Sequence, residues 1–404
     1  MRILCVFGRH AYGEPSRGEG YEHANFLPAL AALGHEVALF DSFDRQVYRD
    51  FADLNLQLIE KIETFRPDII FSVLMHYEVW FETLDLIRNR SPAAIVNWGT
   101  DDSWKFRQFS RFLCGHVDLH VTTDAGALAA AAKLGITNII GSQWAASSAR
   151  LAEPRSSSTC SYDVSFVGMA YGNRRAHVDA LARRGIEVAC FGHGWPRGAV
   201  DLQQVLEVYR ASRITLNFAD SGLQMSGGLL RHSRQIKART FEVPGAGGFL
   251  LTEKNLDLGT YFRLGDELIA YGSDDDLVEK IQFYLRHPED RDRVARAAHD
   301  RVRREHLYEK RFVPIIDRAI GLVGERRNRP WELHADLLRG AVAKYRRSAG
   351  LRRMLDGLKD VSGSPARRFR RGLRRLAYEL SWRLCGERTF RAAGLPGRLF
   401  YRES

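Results

Sequence analysis

The feature that most constrains this chain is an alternation. Short, almost continuously apolar runs recur at 3–7 (ILCVF), 36–40 (EVALF), 68–74 (DIIFSVL), 93–98 (AAIVNW), 118–123 (DLHVTT) and 138–141 (NIIG), and helix-like segments separate them. A strand that is apolar throughout must be covered on both faces, and strands separated by helices join in parallel. The pattern therefore predicts a parallel sheet between two helical layers, an α/β fold. The most regular helical stretch carries Val47, Phe51, Leu54, Leu58, Ile62 and Phe65, whose steps of four and three lay one apolar stripe along a helix. Gly34, in ALGHEV, is placed to close a helix ahead of the next strand.

The rhythm breaks at AASSARLAEPRSSSTCSYD, a Ser-rich stretch that reads as a linker over 146–162. A second alternating unit follows, with strands at 163–170, 187–192, 214–218, 248–252 and 267–272. Ser273 and the three Asp after it open a helix with apolar Leu277, Ile281, Tyr284 and Leu285, which Pro288 stops. The expected organisation is an N-terminal Rossmann-like domain (1–145), the linker, a second Rossmann-like domain (163–325) and a C-terminal extension (326–404), with a cleft between the two domains. With 404 residues, 45% of them hydrophobic, the chain is long enough to give each domain a full core.

Charge singles out the extension. Residues 331–404 carry 18 Lys and Arg against 7 Asp and Glu, the whole of the chain's excess of +11. Within it Phe369, Leu373, Leu376, Leu380 and Leu384 step by four and three, and arginines fill the other faces. That is a basic amphipathic helix over 367–384, suited either to an anionic membrane surface or to packing back on the body. Charge alone also fits nucleic acid, but no recognition motif accompanies it and none is expected as a partner. No run approaches the roughly 18 apolar residues of a spanning helix. The start, MRILCVFGRH, reads as a strand, not a secretory signal. Five scattered cysteines with no C-x-x-C pair suggest reduced thiols and neither a zinc site nor a disulfide framework. The expected location is cytoplasmic, with peripheral attachment at the inner membrane face through the basic helix as an option.

Ligands of open α/β sheets bind beyond the carboxyl ends of the strands, so the loops there carry the candidate chemistry. GRHAYGEPSRGEGYEHANF (8–26) is Gly-rich but lacks the spacing of a dinucleotide fingerprint. In NWGTDDSWKF (97–106), Asp102 or Ser103 is placed to cap a helix. The alternative is that Asp101 or Asp102 orients or deprotonates a hydroxyl, with Trp98 and Trp104 as a stacking wall for a sugar. His76 and Glu78, after the third strand, are further cleft candidates, His76 as a catalytic group. In the second half, FVGMAYGNRR combines Gly168 with Arg174 at a helix start, a combination suited to a diphosphate. FGHGWP adds Gly192, Gly194 and Trp195, the last as a stacking face. RTFEVPGAGGFLLTE (239–253) sets Glu242 among apolar residues near the start of a short helical turn that ends at Gly245, Gly247 and Gly248. A carboxylate there suits the two hydroxyls of a ribose, and Arg239 suits a phosphate; otherwise Glu242 is the buried partner of Arg239.

Read as a set, RTFEVPGAGGFLLTE, GDELIAYGSDDDLVEKIQFYLRHPEDRDRVARAAHDRV, EHLYEKR, DVSFVGMAYGNRR, CFGHGW, NWGTDDSWKF and SQWA resemble the CgeB-type (spore maturation protein-like) glycosyltransferases of GT-B fold, over roughly residues 90–311. The resemblance implies a nucleotide-sugar donor in the second domain, an acceptor (glycan, lipid-linked or protein) on the first, and transfer without metal or cofactor. It implies that Glu242 holds the ribose, as the second acid of an E-x7-E pair, and that Arg174 faces the diphosphate. Position 234, where the first acid of that pair would fall, is Arg in this chain. The sequence therefore leaves retaining and inverting transfer both open, and Asp101 or Asp102 is the expected base if the transfer inverts. Two other readings fit the same fold: a nucleotide-sugar epimerase, and a non-catalytic nucleotide- or glycan-binding protein docked by its basic tail.

Overall fold

The computed structural model describes residues 1–347, except 45, 76, 77, 227, 228 and 256, together with residues 380 and 384. His76 and nearly all of the 367–384 helix lie outside the described residues; Leu380 and Leu384, the two that are described there, are helical and exposed. The chain divides into two compact units, residues 1–141 with 314–404, and residues 142–313.

In the first unit the elements run β1 (Arg2–Phe7), α1 (Tyr21–Ala32), β2 (Glu36–Asp41), α2 (Phe51–Phe65), β3 (Ile69–Ser72), α3 (Phe81–Arg90), β4 (Ala94–Gly99), α4 (Asp102–Lys105), α5 (Arg111–Leu113), β5 (Leu119–Thr122), α6 (Ala125–Lys133) and β6 (Ile139–Gly141). The six strands form one sheet in the order β2-β1-β3-β4-β5-β6, and every pair is parallel. The two faces of β1 show why its run is apolar throughout. Leu4 and Val6 face Leu54, Leu58 and Ile62 of α2 in one core. On the other face the Phe26 ring of α1 meets Phe7, Phe71 and Trp98, with centroids 6.4, 6.1 and 5.2 Å away. Each such fully buried side chain is worth roughly 1.5–3 kcal/mol. The expected stripe along α2 holds except at its start. Asp50 caps the helix by accepting from the Asp53 N–H, so Val47 lies ahead of the helix and is exposed.

The chain re-enters this unit within α13 (Tyr308–Val323) and ends its described part in α14 (Asp336–Arg347). Leu333, Ala335, Leu338 and Val342 join the α2 core. Arg326 grips Asp118 with both terminal nitrogens, at 2.8 and 2.5 Å, and also donates to the Ala93 carbonyl. Residues 326–342 thus complete the first unit's core.

The second unit contains β7 (Tyr162–Val167), α7 (Arg174–Arg183), β8 (Ala189–Phe191), α8 (Leu202–Arg210), β9 (Ser212–Asn217), β10 (Asp220–Ser226), β11 (Leu229–Arg234), α9 (Arg239–Gly245), β12 (Leu250–Glu253), α10 (Leu258–Tyr261), β13 (Ile269–Tyr271), α11 (Asp274–Arg286) and α12 (Pro288–Glu305). Five strands make a parallel sheet ordered β13-β12-β9-β7-β8, while β10 and β11 form a separate antiparallel pair between β9 and α9. Ser273 caps α11 as expected, accepting from the Asp276 N–H. The Ser-rich stretch lies inside this unit. Ala146 is bridged to Leu307, Ala152 N–H donates to the Gly245 carbonyl, and Ser157 N–H donates to Asp292. The buried guanidinium of Arg291 fixes the same region by donating to the carbonyls of Arg213, Ser212 and Arg155.

Candidate functional site

Each sheet has one place where its strand order reverses. In the second unit the chain steps from β7 outward to β8, then returns past β7 to β9, so the loops leaving β7 and β9 diverge, and it is at such a point that open α/β sheets bind ligands. Two loops are locked together there. Gly168, after β7, donates its N–H to the Phe191 carbonyl, Ala170 N–H donates to His193, and the Trp195 indole donates to the Gly168 carbonyl at 2.8 Å. Gly192 (φ +126°) approaches so closely that a Cβ on it would stand 2.4 Å from that carbonyl oxygen. Trp195 is buried, with Phe166 at its edge and Arg175 over its face, and so belongs to the scaffold and not to an open stacking wall.

Two guanidiniums converge on this scaffold. Arg174 opens α7, is 2% exposed, donates to the Met169 carbonyl and the Tyr171 hydroxyl, and stacks 3.9 Å from the Tyr171 ring centroid. Arg239 opens α9 and donates through Nε to Asn217 at the end of β9; Asn217 in turn donates to Thr252. Both lie over the same Phe166 ring, at 5.3 and 5.2 Å. Gly168 separates them: at φ +155°, a Cβ there would come within 2.9 Å of the Arg239 Nη1 and 3.4 Å of the Arg174 Nη1. The Arg239 Nη2 is buried and has no hydrogen-bond partner among the described residues. No described carboxylate lies within 4 Å of Arg239, so Glu242 is not its ion-pair partner. Glu242 stands three residues on, half-buried on the less buried face of the same short helix. Burial pushes the Tyr209 hydroxyl up, and the negative charge of Glu242 adds to the effect.

Gly194 (φ +87°) leaves room for the Arg175 guanidinium, which donates to its carbonyl. Gly247 (φ +79°) serves packing: a Cβ there would lie 2.6 Å from the Ala152 carbonyl oxygen. Arg234, at the position of the missing first acid of the E-x7-E pair, is exposed and paired with Glu253 at 2.9 Å.

The first unit reverses between β1 and β3. Residues after β1, β3 and β4 supply acids here instead of guanidiniums. Asp102, expected as a cap or a base, is neither exposed nor at the cap position. It accepts from Ser110 Oγ and, at 2.8 Å, from His120 Nε2, whose other nitrogen faces the Asn97 amide. Burial works against its charge, but His120, Ser110 and Lys105 outweigh it and hold the carboxyl below its usual range. Gly99 makes this pair fit, since a Cβ would stand 2.3 Å from Asp102 Oδ2 and 2.9 Å from His120 Nε2. Asp101 occupies the cap position of α4 and is half-buried. Trp98, expected in a stacking wall, is fully buried against Phe26; Trp104 is half-buried.

Two further charged residues of this region lie inside the 97–106 and 8–26 loops. Lys105 is buried, donates to the Leu74 carbonyl at 2.7 Å, and has its charge disfavoured by burial and restored in part by Asp102, Asp101, Glu78 and Glu22. Glu22, in the first turn of α1, has a carboxyl that burial pushes up to about 7, with Asp101 adding to the rise and its own backbone N–H and Lys105 opposing it. Among the described residues, the grouping with metal-ligand spacing is His287, Glu289 and Asp290, at the junction of α11 and α12 and away from both reversal points.

These two reversed parallel sheets match known structures along most of the chain. The structure resembles sucrose-phosphate synthase from Thermosynechococcus elongatus (TM-score 0.54, 10% identity, 85% of this chain and 100% of that one). It also resembles a glycosyltransferase from Rickettsia africae (0.53, 11%, 80% and 98%) and AviGT4, a glycosyltransferase involved in avilamycin A biosynthesis (0.52, 14%, 80% and 98%). The fold is GT-B. Within it, residues 174–317 match the family model described as glycosyl transferase-like, a span that begins at Arg174 and includes Arg239 and Glu242. None of the curated proteins matches the chain in sequence. At identities this low the structures establish the GT-B fold and not the reaction. No described helix is long and apolar enough to cross a membrane.

Proposed function

We propose that this GT-B protein is a glycosyltransferase of the CgeB type that takes a hexose-like sugar from a nucleotide donor and passes it to a hydroxyl acceptor without a metal. The observation that carries the reading is the pair Arg174 and Arg239, held over one aromatic ring at a strand-order reversal, with a buried Nη2 on Arg239 awaiting an acceptor. Two like charges held this close favour an anion with several oxygens, and a diphosphate meets that need. Breaking a sugar–diphosphate bond throws negative charge on the leaving group, and fixed guanidiniums stabilise it without reorganising. Glu242, on the same face of α9 as Arg239, is the group for the ribose hydroxyls. The first unit takes the acceptor, and the basic 367–384 segment brings the enzyme to an anionic membrane or a lipid-linked acceptor.

Thermal-shift titration with UDP, GDP, CDP, ADP and dTDP tests the donor half. One nucleotide should raise the melting temperature of the wild type, by an amount that grows with concentration above its Kd, and Glu242→Ala should lose most of that shift. If none of the five shifts the wild type, the donor site is wrong. If Glu242→Ala responds as the wild type does, the ribose assignment is wrong.

A further inference from the structure

We infer that Asn217 is the positioning residue of the diphosphate site: its neutral amide aims the Arg239 guanidinium and leaves that guanidinium's charge for the ligand. This rests on the glycosyltransferase reading above. A buried guanidinium is ordinarily paired with a carboxylate, because a charge is costly to bury alone. Arg239 departs from that rule. Its Nε donates to Asn217 Oδ1 at 3.1 Å, its Nη2 is buried without a hydrogen-bond partner, and no ion pair reaches it among the described residues. The group is held in place by a neutral acceptor, and its charge stays uncancelled.

Asn217 is itself held from the neighbouring strands. It ends β9 and stands opposite Thr252 of β12 in the parallel register, and its Nδ2 donates to Thr252 Oγ1 at 2.8 Å. Tyr271, at the end of β13, donates its hydroxyl to the Asn217 carbonyl at 3.3 Å. These three residues are 1%, 1% and 2% exposed, so side chain and backbone of Asn217 are both fixed away from water. The amide fits one way round. Turned over, its NH2 would face the guanidinium, donor against donor, and its oxygen would leave Arg239 Nε unpaired. Thr252 therefore decides which end of the amide Arg239 meets.

An Asp at 217 would hold Arg239 in the same geometry and cancel its charge, whereas Asn holds it and cancels nothing. A phosphate oxygen arriving at Nη2 then meets an aimed N–H on a group that keeps its full charge, which is a charge-assisted hydrogen bond made without reorganisation. Arg174 follows the same pattern, donating to the Met169 carbonyl and the Tyr171 hydroxyl, both neutral.

Asn217→Asp tests this, because it keeps the shape and the acceptor and adds the cancelling charge. Wild type, Asn217→Asp, Arg239→Ala and the double variant would be titrated calorimetrically near neutral pH with the nucleoside diphosphate that stabilises the wild type most and with its monophosphate. Asn217→Asp should weaken the diphosphate by roughly 10- to 100-fold, leave the monophosphate within about threefold, and cost nothing further in the Arg239→Ala background. A residue that only supported the fold would weaken both nucleotides alike and would add to Arg239→Ala. Thr252→Val frees the amide to turn and should weaken the diphosphate alone by about 3- to 10-fold; Thr252→Ser, which returns the hydroxyl, should recover it. This second pair carries the test if Asn217→Asp does not fold. Undiminished diphosphate affinity in folded Asn217→Asp or Thr252→Val, an equal loss for both nucleotides, or an additive loss in the double variant overturns the assignment while the Arg239 site stands. If the wild type binds no nucleotide, or Arg239→Ala binds the diphosphate as the wild type does, the donor reading falls, and the role of Asn217 falls with it.

Discussion

The two units solve the same topological problem with opposite charges. Both are parallel sheets whose strand order reverses once, and both bring loops from non-adjacent segments to that point. At the second unit's reversal stand Arg174 and Arg239 around Gly168; at the first unit's stand Glu22, Glu78, Asp101 and Asp102 around Lys105. The fold chooses the place, and the side chains choose the ligand. A cationic crevice suits a leaving diphosphate, and an anionic one suits hydroxyls that must be oriented or deprotonated. The two also differ in what their charges rest on. Asp102 is neutralised internally by His120 and Ser110, whereas the Arg239 Nη2 has no protein partner among the described residues. One charge is answered inside the protein and the other is not.

That contrast can be broken by experiment. The largest effect should come from Asp102→Ala, which strands buried His120 and Ser110. Unfolding by denaturant should show a loss of about 3–5 kcal/mol, typical when one partner of a buried pair is removed, with nucleotide affinity of the folded protein unchanged. A parallel loss of affinity would mean that the two regions are not the separate devices described above. A smaller effect is expected from Gly168→Ala. Its backbone angle and the 2.9 Å approach to Arg239 both resist a Cβ, so roughly 1–3 kcal/mol of strain should appear. Here it should appear as weaker nucleotide binding, read by calorimetry, as well as a lower melting point. Binding at the wild-type affinity would show that the spacing of the two guanidiniums is not what the ligand needs.

The sequence made the frame legible and the acid site only in part. Apolar runs at 3–7, 69–72 and 94–99 announce buried parallel strands because their composition has no polar face. The β10–β11 pair carries no such signal: DSGLQMSGGLLRHSR mixes Gly, Ser and charge, and reads as a connection. Arg174, Arg239 and Glu242 were visible as candidates because glycines and helix starts mark their loops. Glu22 was not, because what distinguishes it is the company of Asp101 and Lys105, some 80 residues away in sequence and brought near only by the sheet. Asp102 stands at a strand end that looks open to a ligand in the sequence, and only the fold shows His120, on the neighbouring strand, paired with it.

The most direct test of the central claim, that the second unit's reversal point binds a diphosphate through Arg239, is a pair of calorimetric titrations. Wild type and Arg239→Ala would each be titrated with the nucleoside diphosphate that stabilises the protein most and with the corresponding monophosphate. A charge-assisted hydrogen bond to the outer phosphate is worth about 1.5–3 kcal/mol, so the wild type should prefer the diphosphate by roughly 10- to 100-fold and the variant should lose that preference. Equal affinity of the wild type for both nucleotides, or an undiminished preference in Arg239→Ala, would contradict the account.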